Sequence, residues 1–385
     1  MRPLEEQTPM RPAEESAMHT ELCERFGIDV PIFAFTPSEH VAAAVSRAGG
    51  LGVLGAVRFN EAEELDRALD WLDENTDGKP YGVDVVMPMN IPTEGTSGDL
   101  KTMIPQEHIT FVERTLQKLG VPPLPEGEGR EGVLGWLHSV ARSHVDVALG
   151  HRPVLIANAL GSPPPDVIEQ AHAAGVQVAA LAGAAKHALS HVEKGVDVIV
   201  AQGFEAGGHT GEIASMVLTP EIVDAVGPDV PVLGAGGIGR GRQVAASLAL
   251  GAQGVWTGSV WLTTEEYRNL NTNSAMTEAF LRASSADTVR TRIYTGKPAR
   301  LLKTKWTQAW DDEDAPTPLP MPLQNLLVAD AHNRLNAANN PDAISMPVGQ
   351  IVGSMNEVRS VADVMTDLIR EYDETVARLA GLRTS

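Results

Sequence analysis

Eight short apolar runs recur along residues 30–260, most of them followed by a helix-forming stretch. They are Val30–Phe35, Leu51–Val57, Tyr81–Met87, Pro153–Leu160, Val176–Ala182, Val196–Gln202, Val230–Ala235 and Gly254–Val260. Nearly every position in them is apolar or small, where a half-buried strand would alternate. Such runs suit parallel strands covered on both faces. Parallel neighbours need crossovers, and the intervening helices supply them. A count of eight predicts an α/β protein with a (β/α)8 TIM barrel. The competing architecture is an open doubly wound sheet, whose phosphate-binding glycines follow the first strand. Here Thr36-Pro37-Ser38 follows it, and the glycines come late.

The rhythm predicts the domain plan. Residues 1–17, rich in Pro and Glu, read as a flexible tail. Residues 18–263 form the barrel, interrupted after the third strand by a Pro- and Gly-rich insertion, 88–152, that carries two helical pieces. An insertion of that length is expected to cover an active site. Residues 264–345 read as a small helical cap. Residues 346–385 form a C-terminal segment whose amphipathic helix, with Val361, Val364, Leu368 and Tyr372 near one face, closes the barrel.

Composition excludes some functions. The formal charge of −20, from 50 acidic against 30 basic residues, repels nucleic acid and anionic membrane. No apolar run approaches the ~18 residues a membrane span needs, and no signal-peptide core precedes the first strand. The expectation is a cytoplasmic protein with a small-molecule substrate. A homo-oligomer is left open. Cys23 is the lone cysteine, so neither a disulfide within the chain nor a cysteine metal site is available. His187 and His191 share metal-ligand spacing but lack the accompanying Glu, and read as solvated surface. No metal is expected. Lys303 and Lys305 are read as exposed lysines, although either could draw an anion in so acidic a protein.

Ligands in such barrels lie at the C-terminal strand ends, with phosphate often held after strands seven and eight. Those ends read Gly234-Ala-Gly-Gly-Ile-Gly239 and Trp256-Thr-Gly-Ser259. Gly236 and Gly237 are expected to offer backbone N–H groups at a helix N-terminus, which favours an anion. Thr257, Gly258 and Ser259 add hydroxyls and a further N–H. Trp256 reads as core or cofactor-flanking. The sixth strand runs into Gln202-Gly-Phe-Glu-Ala-Gly-Gly-His-Thr-Gly211. Gln202 at its tip could hydrogen-bond a flat heterocycle. Gly207 and Gly208 allow close backbone approach, and His209 is a base with an ordinary pKa near neutrality. Glu205 reads as a loop hydrogen-bond acceptor.

These motifs, with Val30-Pro-Ile-Phe-Ala-Phe35, Ala43-Ala-Val-Ser-Arg-Ala-Gly-Gly-Leu-Gly52, Gly251-Ala-Gln-Gly-Val-Trp-Thr-Gly-Ser259, Thr295-Gly-Lys-Pro-Ala-Arg300 and Gly349-Gln-Ile-Val-Gly353, resemble the nitronate monooxygenase (2-nitropropane dioxygenase) family in content and order. The resemblance implies a barrel holding FMN non-covalently. It implies that Gln202 and Gly207 contact the flavin or its phosphate, and that Gly236, Gly237, Thr257, Gly258 and Ser259 cradle the phosphate. Phe33 and Ala34 would lie along the isoalloxazine. Asp84 stands where the family commonly has asparagine. His209 matches the catalytic histidine, which takes a nitroalkane's α-proton or orients the nitronate. The family's frequent histidine after strand four is absent, and Asn158 would take its place toward substrate. The expected activity is FMN-dependent oxidation of a nitronate or nitroalkane with dioxygen. The alternative is an NAD(P)H-dependent flavin reductase, of quinone or enoyl-thioester type, on the same barrel.

Overall fold

The computed structural model describes residues 18–87, 100–125, 137–270 and 274–382. The expected tail, 1–17, lies outside them, as do parts of the 88–152 insertion. The barrel strands are β1 (Ile32–Thr36), β2 (Leu51–Gly55), β3 (Tyr81–Val85), β4 (Leu155–Asn158), β5 (Gln177–Ala182), β6 (Val198–Gln202), β8 (Val232–Ala235) and β9 (Gly254–Thr257). All pair in parallel, in chain order, and β9 returns to β1 through Phe33 opposite Trp256. A closed ring leaves no edge to protect.

Strand alternation divides the strands' side chains between two faces. Phe33, Leu51, Val53, Leu155, Ala157, Val198, Val200 and Leu233 fill the lumen. Val83, Val85, Ile156, Val178, Ile199 and Ala201 point outward into the helical layer. The short helix Glu21–Phe26 plugs the lumen floor with Leu22, Cys23 and Phe26 and ends on Gly27 at φ 66°. Phe26 meets Phe33 edge-on, ring centroids 5.3 Å apart.

Side-chain caps account for a few helix starts. The Ser38 hydroxyl accepts the Val41 N–H at 3.4 Å and caps Glu39–Arg47. Asn60 does not cap the next helix; instead Glu64 reaches back to the Asn60 N–H, and the helix runs Ala62–Asn75. The helix expected from Thr219 begins earlier and spans Ser215–Val226 with Pro220 inside it. Its first turn is held by a carboxylate ten residues upstream. Glu205 accepts from the Ser215 N–H at 3.0 Å and the Ser215 hydroxyl at 2.9 Å.

Beyond β9 the chain makes a long excursion before its last helix, Val361–Gly381. That helix packs outside the barrel, between Glu39–Arg47 and Gly241–Ala249, where an eighth crossover helix would sit. A Cβ on Gly241 would lie 2.2 Å from the Leu368 carbonyl oxygen, so only glycine admits the contact. The excursion supplies β10 (Thr288–Thr291) and β11 (Ala299–Leu302), an antiparallel pair, and β11 also pairs with β7 (Gly208–His209).

A separate core joins the insertion to the excursion. Phe111, Val112 and Leu116 from the helix Gln106–Lys118 pack with Trp306, Trp310, Val328, Ala331 and Leu335. Arg334, buried, pairs with Glu113 at 2.8 Å and donates to the Pro122 carbonyl at 3.1 Å.

Candidate active site

The mouth of the lumen is formed by the C-terminal strand ends. Phe35 and Trp256 stack there, centroids 6.4 Å apart and 19° from parallel. Phe35 lies against Gly55 and Gly258, and a Cβ on Gly55 would come within 2.9 Å of its ring. No sequence signal separated Phe35 from its neighbour Phe33, whose side chain is sealed in the lumen floor. Ala34 points outward to the helical layer, so at these two positions the backbone is what remains for a cofactor. Gln202 is half-buried at the tip of β6, paired through its backbone with β8, and its side chain makes no hydrogen bond to another described residue.

The phosphate elements converge, with a change of mechanism. The helix after β8 starts at Gly241, not beside Gly236 and Gly237. Its first turn is already occupied by the last helix and by Arg240 and Arg242 on Glu371. What these residues offer an anion is the turn itself. Gly236 (φ 99°) and Gly237 (φ 70°) are consecutive left-handed residues, a conformation open to glycine at little cost. Next to β8, the exit of β9 offers Gly258 and Ser259. The Ser259 hydroxyl accepts the Gly349 N–H at 2.8 Å, which leaves its own proton free to donate. Thr257 behaves otherwise. Its hydroxyl donates to the Phe33 carbonyl at 3.1 Å and accepts from the Trp261 indole at 3.0 Å, so it latches β9 to β1.

Gly349 and Gln350 bind these ends together. The Gln350 N–H donates to the Glu205 carbonyl at 2.9 Å. A Cβ on Gly207 would stand 2.7 Å from the Gly349 nitrogen. A cavity of about 370 Å³ lies behind the Gly236–Gly237 turn, lined also by Met216, Thr219, Ser247 and Leu250. It is on the helical side of β8 rather than in the lumen.

His209 is presented by tertiary pairing. It stands opposite Ala299 in β11, and Arg300 braces the preceding loop by donating to the Phe204 carbonyl at 2.9 and 3.1 Å. Its Nε2 lies 2.7 Å from the Thr295 hydroxyl. Burial, aided by the nearby Lys297 ammonium, lowers its pKa to about 4. The imidazole is thus unprotonated across the neutral range. Lys297 makes no ion pair with another described residue, and partial burial depresses its own pKa.

Two expectations need correction. Asn158 does not face the mouth. It shares the outward parity of Ile156, is fully buried, accepts the Met87 N–H at 2.8 Å and donates to the Gly161 carbonyl at 2.9 Å. Its amide fastens the ends of β3 and β4 and has little left for a substrate. His191 is not solvated. It is buried, 2.7 Å from the Ser162 hydroxyl and 3.1 Å from the Leu181 carbonyl, while His187 is exposed. Among the described residues no cluster of His, Cys, Asp or Glu could hold a metal. Lys303 and Lys305 are exposed, and Lys305 pairs with Asp342.

Comparison with known proteins matches this arrangement to a family. The family model described as "Nitronate monooxygenase" matches residues 19–371. The chain belongs to the nitronate monooxygenase family. It is an oxidoreductase of that family. It is 50% identical, over 95% of its length and 99% of the relative's, to "Putative monooxygenase" of Mycobacterium tuberculosis. It is 29% identical to "Probable nitronate monooxygenase" of Bacillus subtilis, over 89% of this chain and 95% of that one. Among solved structures it resembles nitroalkane oxidase from Streptomyces ansochromogenes, with a TM-score of 0.76 and 25% identity, covering 93% of this chain and 99% of that one. No helix among the described residues is long and apolar enough to cross a membrane.

Proposed function

We infer that this protein oxidises an alkyl nitronate with dioxygen, using FMN bound without a covalent link across the barrel mouth. The observation that carries the reading is an unprotonated imidazole, His209, beside the cationic Lys297 at the end of a barrel whose β8 and β9 exits turn on glycines. The residues fit the cofactor. Gly236, Gly237, Gly258 and Ser259 would hold its phosphate through N–H and O–H donors; Gly208 has open space beside it, while Gly207 is packed against Gly349 and would offer only its backbone. Gln202, the Trp256–Phe35 pair and the backbone at Phe33 and Ala34 would meet the ring, with Asp84 in the lumen beneath.

When bound, FMN would supply the redox chemistry that links oxidation of the substrate to dioxygen. The chain's own task is to receive and orient the substrate. A nitronate is an anion, and Lys297 supplies the opposite charge. His209 is free to accept a proton, but a base of pKa about 4 has a weak driving force for removing one from a neutral nitroalkane. The preformed nitronate is therefore the preferred substrate, with the neutral nitroalkane second.

The test begins with the visible spectrum of the purified protein, followed by anaerobic addition of propionate 3-nitronate or of NADH. Flavin bleached by the nitronate supports the reading. Bleaching by NADH alone would replace it with the flavin reductase. The His209→Asn variant should stay yellow while kcat/KM for nitroethane falls by roughly 10²-fold or more. Parental rates in that variant would remove His209 from the reaction.

A further inference from the structure

Asp84 lies inside the lumen. In β3, Tyr81, Val83 and Val85 face the helical layer, so Gly82 and Asp84 face the lumen. Asp84 stands opposite Gly55 of β2 and Ala157 of β4, near the C-terminal end of β3. The residue is 2% exposed, and Oδ2 has no hydrogen-bond partner among the described residues. The lumen residues beside it are apolar; among the described residues the other inward polar side chains on the strands are Gln202 at the mouth and Gln177 at the floor, the latter held by Arg25 of the plug helix. The charged groups on elements packed against β3 belong to the outer layer. Arg58 pairs with Glu39, Arg47 donates to the Asn75 carbonyl, and His151 pairs with Asp66 and Asp73. His144 is buried there without a partner. None of them alters the affinity of Asp84 for its proton, which burial alone raises well above the carboxylate range.

An ionised carboxylate in such a place would lack both water and a counter-charge. A neutral acid loses far less. A neutral acid is also a donor, whereas a carboxylate only accepts. We propose that Asp84 is a neutral carboxylic acid at physiological pH, and that its O–H donates a hydrogen bond to the flavin ring. This rests on the FMN reading given above. An asparagine at the site would donate at every pH. Asp84 donates only while protonated, and once ionised it would repel the ring and, more strongly, the reduced cofactor with its added negative charge. Cofactor affinity and midpoint potential both become dependent on pH through one residue.

Two measurements on the full-length protein test this. The first is the infrared spectrum of the cofactor-free protein at pH 7, wild type against Asp84→Asn, in H2O and in D2O. A carboxylic-acid carbonyl band that shifts in D2O and is missing from the variant is expected. Its absence from the wild type overturns the neutral acid, whatever the protein binds. The second is FMN affinity from pH 6 to 9.5, read by fluorescence quenching. Wild type should weaken by up to roughly tenfold per pH unit once Asp84 ionises, while Asp84→Asn stays flat relative to it. An infrared band that FMN leaves unmoved, or equal pH profiles across a range in which that band is seen to vanish, overturns the donor role. A wild type that shows the band but refuses FMN ends the flavin reading and the donor role with it, and leaves the neutral acid standing.

Discussion

His144 shows how much one buried side chain can make stability depend on pH. It is fully buried on the helix His138–His151, and neither ring nitrogen makes a well-formed hydrogen bond among the described residues; the nearby Phe59 backbone opposes the effect of burial only in part. Burial pushes its pKa from 6.5 down to about 4. Between those values the unfolded chain binds a proton that the folded chain refuses. Stability from this residue is complete above about pH 6.5 and is lost as the pH falls toward 4, by at most about 3 kcal/mol. His209, lowered in the same direction, adds to the same acid limb. His144→Leu should therefore shrink the stability difference between pH 7 and pH 4.5, measured by urea unfolding. An unchanged difference would mean the ring is hydrated in the folded state. For catalysis the sign is simple. His209 is a base wherever the pH exceeds about 4, so kcat/KM for a nitronate should show no histidine limb near 6.5.

Among the elements, the helix Gly241–Ala249 is where packing leaves no tolerance. Residues 368–372 of the last helix cross it at Gly241, where a Cβ would fall 2.2 Å from one backbone oxygen and 2.4 Å from a backbone nitrogen. Neither atom can move without the helix. Gly241→Ala should cost roughly 1–3 kcal/mol, although alanine is the better helix former. A variant as stable as the parent, by thermal unfolding, would show that the two helices can slide apart. The strands themselves were easy to read because barrel strands are buried on both faces and stay apolar throughout. Side-chain direction was harder. Asn158 and Ala157 differ by one position and point to opposite faces, and an apolar run without alternation carries no parity signal. That is why Asn158 was expected toward substrate and is found holding backbone. Thr257 also sits at the expected strand end, with a hydroxyl already committed to β1 and Trp261.

In the whole molecule, the insertion and the distant excursion share one core, and Arg334 links them. Its guanidinium is buried against Glu113, the Pro122 carbonyl and the Val121 carbonyl. Arg334→Ala should destabilise this unit by roughly 2–3 kcal/mol, discounted because Glu113 is half exposed and regains water. Hydrogen exchange should show the helix Gln106–Lys118 losing protection while the barrel strands keep theirs. Loss spread evenly over the barrel would instead make the two cores one cooperative unit.

The order of apolar runs and glycines determined the closed barrel, the end of it that would bear chemistry, and the histidine beside it. Those features follow from local constraints: covered strands must be apolar, and left-handed turns favour glycine. Only the tertiary structure decided which side chains face the lumen, that a three-stranded sheet with β11 carries His209, and that Asp84 is buried with no counter-charge among the described residues. Such facts depend on what residues far apart in the chain bring to one place, and protonation and orientation are set by those neighbours.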